Sequence, residues 1–168
     1  VATFNSTGTP SLFMHAADAI HGDLGMIQSN DIVIVISKSG ESPEIKSLVP
    51  FIKSTQNKCI AIVGNMNSFL AKQADIVLNS TVQQEACPNN LAPTTSTTAQ
   101  LVIGDALSVC LMNLKNFSGK DFAVIALPTE NERYFFSASY KILLITTLKS
   151  KFPDGVKYPT VPEYKPRL

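Results

Sequence analysis

The chain has 168 residues, enough for one domain with a hydrophobic core. Its 14 Lys and Arg residues nearly balance its 13 Asp and Glu residues, so charge gives no reason to expect nucleic acid or an anionic membrane as a partner. No apolar run approaches the roughly 20 residues that a membrane span needs, and the N-terminus lacks a signal-peptide pattern, so we expect a cytoplasmic protein.

The cysteine pattern agrees with that expectation. The three cysteines are Cys59, Cys87 and Cys110, and none forms a CxxC pair. Cys59 and Cys110 lie in apolar segments, where packing in the core is the expected role. Three scattered cysteines are typical of a reducing compartment.

Short runs rich in Ile and Val predict strands that are buried on both faces, as in a parallel sheet. In chain order, these predicted strands are residues 11–15, 31–37, 59–64 and 74–80. Between the second and third, Ile45, Leu48, Val49 and Ile52 follow the spacing of an amphipathic helix. Strand, helix and strand over about 30 residues form a βαβ unit, which indicates an α/β fold.

The rest of the chain is less regular. We predict a short helix over 68–73, a loop over 81–95 and a long helix from Ser96 to about Leu114. That helix is apolar around almost its whole circumference, which predicts burial in the core or at a subunit interface. A turn is expected over 116–122, then strands or short apolar helices over 122–127 and 140–148, and an extended proline-containing tail over 151–168.

The stretch SKSGES follows the second predicted strand and leads into the helix. In parallel α/β sheets, ligands bind beyond the carboxyl ends of the strands. Ser37, Ser39 and Ser42 supply hydroxyl groups, Gly40 allows close approach of the backbone, and the helix N-terminus favours an anion. This pattern predicts a phosphate cradle; the alternative is a simple serine N-cap, with Glu44 completing the local capping.

A second hydroxyl cluster, PTTSTT, precedes the long helix at residues 93–98. By itself it would be an ordinary helix cap. Thr95 and Ser96 nevertheless belong to a second helix N-terminus in the same small domain. Two such termini could hold a phosphate and the sugar hydroxyls beside it.

Four motifs together carry a resemblance to a known family: HGDLGMI from His21, SKSGESPEI, EAC at 85–87 with LAPTTSTTA, and GDAL at 104–107. Residues 1–123 resemble the sugar isomerase (SIS) domain of the KpsF/GutQ arabinose 5-phosphate isomerases, whereas residues 124–168 are an unrecognised extension. The resemblance implies an αβα sandwich with a parallel, doubly wound sheet, in a homo-oligomer (a dimer or tetramer) without an organic cofactor. It also implies interconversion of D-arabinose 5-phosphate and D-ribulose 5-phosphate through an enediol, a step toward the lipopolysaccharide and capsule sugar Kdo.

The resemblance also implies roles for individual residues. Glu44 and Glu85 match two glutamates that transfer protons, and His21 matches a histidine near the sugar that polarises the carbonyl or binds an inhibitory divalent metal. The matching phosphate-loop and hydroxyl-loop residues are Ser37, Lys38, Ser39, Gly40, Ser42, Thr95 and Ser96. Without the resemblance, Glu44 would be a first-turn acid, Glu85 a surface residue and His21 a structural residue. Lys38 replaces a small polar residue and either adds charge near the phosphate or points to solvent.

Two family segments do not occur in this sequence. Family members begin with a strand and a GMGKSG loop, and they continue after DFA with a His-Pro-Gly-Gly segment, where this chain has VIAL. We expect 122–127 or 140–148 to pair with the sheet in place of that strand. The function alternatives are a non-catalytic phosphosugar-binding SIS module, an inactive remnant, or a pseudoenzyme subunit.

Overall fold

Five strands form one sheet in which every neighbouring pair is parallel. The computed structural model describes residues 1–126 and 142–146. The strands are β1 Ser11–His15, β2 Ile32–Ser37, β3 Lys58–Val63, β4 Ile76–Asn79 and β5 Ile142–Thr146, in the spatial order β1–β5–β2–β3–β4. The four strands predicted before residue 81 and their parallel pairing are confirmed.

Six helices accompany the described strands. They are α1 Ala2–Ser6, α2 Ala16–Ala19, α3 Pro43–Ser54, α4 Phe69–Gln73, α5 Thr95–Leu114 and α6 Gly119–Ala126, with a 3₁₀ helix over Asp23–Met26. The predictions of α3, α4 and α5 are confirmed. The short helices α1 and α2 were not predicted. The helix α6 begins inside the segment that was predicted as a turn.

The helices cover both faces of the sheet. Alternate residues of β2 point to opposite faces, as the pleat of a strand requires. Val33 and Val35 pack in one cluster with the apolar face of α3, whereas Ile34 packs on the other face with Phe4 of α1 and with α5. The predicted α/β sandwich is therefore confirmed.

The strand β5 occupies an interior position between β1 and β2. Leu143 is in register with Leu12 on one side and with Val33 on the other. The prediction that 140–148 pairs with the sheet is confirmed for Ile142–Thr146, while the described part of 122–127 is helical. The predicted tail over 151–168 lies outside the described residues. The division at residues 123 and 124 stays a prediction.

The helix α5 is not buried on all sides, contrary to one of the two predictions for it. Ile103, Leu107 and Leu111 pack toward the sheet, but Leu101 is 64% exposed and Val109 is 54% exposed. A helix that flanks a sheet buries only one face, so burial of its whole circumference in the core is wrong. Burial at a subunit interface stays a prediction.

Of the two cysteines predicted to lie in the core, one is buried and one is exposed. Cys59 on β3 is buried, as predicted, and burial raises the pKa of its thiol to about 11. Cys110 lies on the outer face of α5 and is exposed, so its predicted place in the core is wrong. The prediction that no segment is long and apolar enough for a membrane span is wrong for α5 by length and composition. One face of α5 nevertheless packs on the sheet, as in a helix of a globular protein.

Candidate functional site

The loop after β2 makes a sharp turn at Gly40. Its φ is +64°, in the left-handed region that favours glycine, and its N–H donates to the Ser37 Oγ at 3.0 Å. A Cβ at residue 40 would lie 2.3 Å from the Ser68 Oγ at the start of α4. The glycine therefore lets this loop pass close to the neighbouring helix.

The serines of the loop form local hydrogen bonds. Ser42 is the N-cap of α3, where its Oγ accepts the Ile45 N–H at 3.5 Å. The Ser39 Oγ accepts the Glu41 N–H at 3.3 Å, and Ser39 is exposed. Capping thus occurs, as the alternative interpretation predicts. In these bonds the hydroxyl oxygens accept, so the contacts do not use the hydroxyl hydrogens as donors.

Glu85 is the best-connected side chain at this edge of the sheet. Its side chain is 0% exposed. The Oε1 atom accepts from the Lys38 Nζ at 2.5 Å and from the Ser96 Oγ at 2.5 Å. The Oε2 atom accepts the backbone N–H groups of Thr94 at 2.8 Å and Ser96 at 3.1 Å, and also the Thr94 hydroxyl at 3.2 Å. The alternative interpretation of Glu85 as a surface residue is wrong.

These contacts keep Glu85 ionised. Burial by itself raises the pKa of the carboxyl group. The hydrogen bonds from Lys38, Ser96 and the Thr94 N–H outweigh burial and hold the pKa well below its ordinary value of 4.5. Thr94, the N-cap residue of α5, makes no side-chain capping bond. The Glu85 carboxylate is instead the anion at the N-terminus of α5.

This finding changes the interpretation of the second hydroxyl cluster. The N–H groups of Thr94 and Ser96 already donate to Glu85, so a phosphate would find this helix N-terminus engaged by a carboxylate. Thr95 is exposed beside it and lines a shallow surface depression with Ala86, Pro93 and Thr98. A hydroxyl contact from Thr95 to a sugar remains compatible with this arrangement.

Backbone hydrogen bonds join the loops at the carboxyl edge of the sheet. The Lys38 carbonyl accepts the N–H groups of Gly64 and Asn65, both at 3.1 Å, at the end of β3. The Gly64 carbonyl in turn accepts the Thr81 hydroxyl at 2.6 Å, beyond the end of β4. The loops after β2, β3 and β4 thus form one connected layer that leads to Glu85.

The other predicted residues lie around this layer. Glu44 is half-buried in the first turn of α3. His21 is exposed in the turn after α2, and its imidazole makes no hydrogen bond with another residue in the described part of the chain. The structure therefore joins Lys38 and Ser96 through Glu85, and His21 takes no part in this hydrogen-bond network.

Among the described residues, no ligand set for a metal surrounds His21. Within residues 1–126 and 142–146, no three His, Cys, Asp or Glu side chains come together in a way that could hold a metal ion. An apolar cavity of about 290 Å³ lies between α1, the sheet and α5, lined by Phe4, Ile34 and Leu107 among others. It contains none of the predicted site residues, so it does not identify the chemical site.

Sequence reasoning missed the ion pair between Lys38 and Glu85 and the hydrogen bonds of Thr94. One signal for the pair exists in the sequence. Lys38 follows one strand, Glu85 follows another, and the carboxyl ends of parallel strands meet at one edge. That signal places both residues at the same edge but does not predict their contact.

Comparison with known proteins identifies the family. The family model described as "SIS domain" matches residues 1–110, about two thirds of the chain. The chain belongs to the SIS domain family.

Within that family, this SIS chain is related to arabinose 5-phosphate isomerases. It is 55% identical over 123 residues to a "Probable arabinose 5-phosphate isomerase" of Haemophilus influenzae and 57% identical over 122 residues to "Arabinose 5-phosphate isomerase KdsD" of Francisella tularensis. Each match covers 73% of this chain, but 36% and 37% of the respective relatives. The SIS chain thus spans little more than a third of their length.

Solved structures show the same relationship. The SIS chain matches the structure of an E. coli CFT073 protein in complex with arabinose 5-phosphate, with a TM-score of 0.71 and 44% identity, over 74% of this chain and 66% of that one. It also matches a structure described as a "putative phosphosugar isomerase involved in capsule formation" from Bacteroides fragilis, with a TM-score of 0.70 and 40% identity over the same shares. These matches support the SIS-type fold.

Proposed function

We propose that this chain is an aldose–ketose isomerase that interconverts D-arabinose 5-phosphate and D-ribulose 5-phosphate, in the synthesis of Kdo. The observation that carries the proposal is the junction of the SKSGES loop and the Thr94–Ser96 loop through Glu85, at the edge where α/β sheets bind ligands. The names of the relatives support the choice of sugar.

The reaction needs one proton transfer between neighbouring carbons. A base removes the proton from C2 of the open-chain aldose, and an enediol forms as the O1 carbonyl gains a proton. The O2 hydroxyl then loses its proton while C1 gains one, which completes the ketose. A grip on the distant phosphate fixes C1 and C2 relative to the base, so binding energy contributes to the chemical step.

The two glutamates are suited to different parts of this task. Glu85 already accepts five hydrogen bonds and is held ionised, which suits a fixed negative charge better than a group that gains and loses a proton. Glu44 is half-buried beside the phosphate loop, so we assign the transfer between C2 and C1 to Glu44. His21 would polarise the carbonyl, which requires the sugar to extend toward the turn after α2.

The same proposal covers binding and location. Ser37, Ser39, Ser42 and the backbone at Lys38 and Gly40 bind the phosphate, and Thr95 contacts a sugar hydroxyl. Ser96 holds Glu85. The reaction uses no organic cofactor, and the protein works in the cytoplasm as a homo-oligomer assembled through the outer face of α5.

The test is turnover of D-arabinose 5-phosphate by the wild type and by three variants. Glu44→Gln should lower kcat at least about 100-fold, because it removes the proton-transfer group. Ser39→Ala should raise KM about tenfold, as loss of one hydrogen bond to a charged phosphate predicts. Ser47→Ala is the matched control: Ser47 lies on the exposed side of α3, bonded to the Pro43 carbonyl, and the substitution should leave both constants unchanged.

The saturated hydrogen bonding of Glu85 favours one alternative, a phosphosugar-binding SIS module without turnover. In that case the wild type would not convert the sugar, yet D-arabinose 5-phosphate would raise its Tm, and Ser39→Ala would reduce the rise. Absence of both turnover and a Tm shift in the wild type would reject both proposals.

A further inference from the structure

The ion pair of Lys38 joins one exposed group to one buried group. The Lys38 side chain is 50% exposed, whereas the Glu85 side chain has no exposed surface. A pair between two exposed groups contributes little to stability. Here the carboxylate is out of water, so loss of its cation would leave a buried charge with fewer partners.

The backbone of Lys38 is fixed independently of this pair. Its carbonyl accepts two N–H groups at the end of β3, from Gly64 and Asn65. That carbonyl lies so close to Gly64 that a Cβ at residue 64 would be 2.9 Å from its oxygen. The side chain of Lys38 therefore starts from a fixed point when it extends to Glu85.

Glu85 connects Lys38 to the N-terminus of α5. The Oε1 atom contacts both sides, Lys38 and Ser96, whereas Oε2 accepts the N–H groups of Thr94 and Ser96 on the α5 side alone. A carboxylate held at one end by Lys38 has one orientation in which all these bonds form. The Lys38 side chain thus links the SKSGES loop to the Thr94–Ser96 loop through Glu85.

We infer that Lys38 is a positioning residue: it holds Glu85 against the N-terminus of α5 and thereby sets the spacing of the SKSGES loop and the Thr94–Ser96 loop. The effect on sugar binding rests on the proposed function, whereas the tether between the loops does not. Lys38 is thus neither a solvent-directed side chain nor only a charge for the phosphate.

The charged and titratable surroundings of Glu85 make this role measurable. Among the described residues, Lys38 is the cation recorded in contact with the carboxylate. The Cys87 thiol is the other titratable group nearby: N–H bonds from Ala92 and Leu91 lower its pKa, and the charge of Glu85 raises it. Burial raises the pKa of Glu85 and the hydrogen bond from Lys38 lowers it, so removal of Lys38 should raise this pKa.

The experiment compares Lys38→Met, Lys38→Arg and wild type in the full chain by NMR. The Glu85 carboxyl ¹³C signal, assigned with Glu85→Gln, is titrated with acid, and hydrogen exchange is followed at the Thr94 and Ser96 amides. Lys38→Met should move the Glu85 titration to higher pH and speed exchange at both amides about tenfold, the effect of one charged hydrogen bond. Lys38→Arg should restore both properties. Lys58→Met, at the opposite end of β3 and paired with Asp75, is the matched control and should change neither.

Unchanged Glu85 titration and unchanged amide exchange in Lys38→Met would overturn the inference. A separate calorimetric titration with D-arabinose 5-phosphate tests the dependence on function. If the wild type binds the sugar, Lys38→Met should weaken binding about tenfold, and equal affinity would overturn the positioning role. If the wild type does not bind while the NMR changes occur, the tether stands and the proposed function fails.

Discussion

Gly40 and Glu85 show how single residues shape this site. Gly40 provides a left-handed turn where a side chain would collide with Ser68, and Glu85 provides an anion where a helix begins. Neither role depends on a bound ligand. Loops fixed by contacts within the chain are what the proposed function requires, because preformed loops lower the entropy cost of binding.

The role of Gly40 predicts a strong effect of Gly40→Ala. The left-handed conformation costs a non-glycine residue about 1 kcal/mol, and the added Cβ would lie 2.3 Å from the Ser68 Oγ and 2.8 Å from its Cβ. We expect a loss of about 2 kcal/mol or more in the free energy of unfolding, measured by urea denaturation. Gly104→Ala on α5 is the control, since a Cβ there meets nothing within 4 Å and alanine favours a helix. Equal stability of the two variants would contradict this account of Gly40.

Among the elements, β5 is an interior strand of the sheet, as β2 and β3 are. It pairs with β1 on one side and with β2 on the other, so its backbone satisfies donors and acceptors of both neighbours. The sheet would otherwise contain two unpaired strand edges at this point. A segment far along the chain thus completes the layer on which the site is built.

Proline substitution tests the importance of β5. Leu144 is central in the strand, in register with Phe13 and Ile34, and Leu144→Pro would remove a ladder hydrogen bond. We expect a loss of about 3 kcal/mol or more in the free energy of unfolding, measured by chemical denaturation. Ile76→Pro, at the first residue of the edge strand β4, should cost clearly less. If Leu144→Pro were as stable as wild type, the interior position of β5 would be wrong.

For the whole molecule, we expect copies of the chain to assemble through the outer face of α5. The apolar residues that remain exposed on this helix include Leu101, Val102, Val109 and Leu114. The formal net charge of the chain is only +1, so charge neither opposes self-association nor attracts an anionic surface. A second copy of the chain is therefore the expected partner of this face.

The double variant Leu101→Glu/Val109→Glu should prevent this expected self-association. Two charges in an apolar interface should raise the dissociation constant at least about 100-fold, as seen by sedimentation velocity. Ile20→Glu is the control, because Ile20 is an exposed apolar residue at the end of α2, on the opposite face of the sheet. A wild type that sediments as a monomer at all concentrations would contradict the prediction. Flotation of that monomer with lipid vesicles would show that the α5 face binds a membrane instead.

The sequence by itself determined the four strands before residue 81, the helices α3, α4 and α5, and the family. Short apolar runs and the spacing of Ile45, Leu48, Val49 and Ile52 predict local structure directly, because the residues that alternate or repeat are neighbours in the chain. The motifs that identify the SIS domain are likewise contiguous. The capping role of Ser42 could also be predicted, since an N-cap acts within three residues.

Only the tertiary structure decided the position of β5, the exposed face of α5 and the state of Glu85. Each depends on residues distant in the chain: Lys38 and Glu85 are 47 positions apart, and Leu144 is more than 100 positions from its partner Ile34. The periodicity of apolar residues relates only residues a few positions apart, so it cannot predict such contacts. A polar loop residue such as Glu85 can be exposed or fully buried with the same neighbours in sequence. The packing of separate strand ends at one edge of the sheet makes it buried, ionised and hydrogen-bonded to both loops.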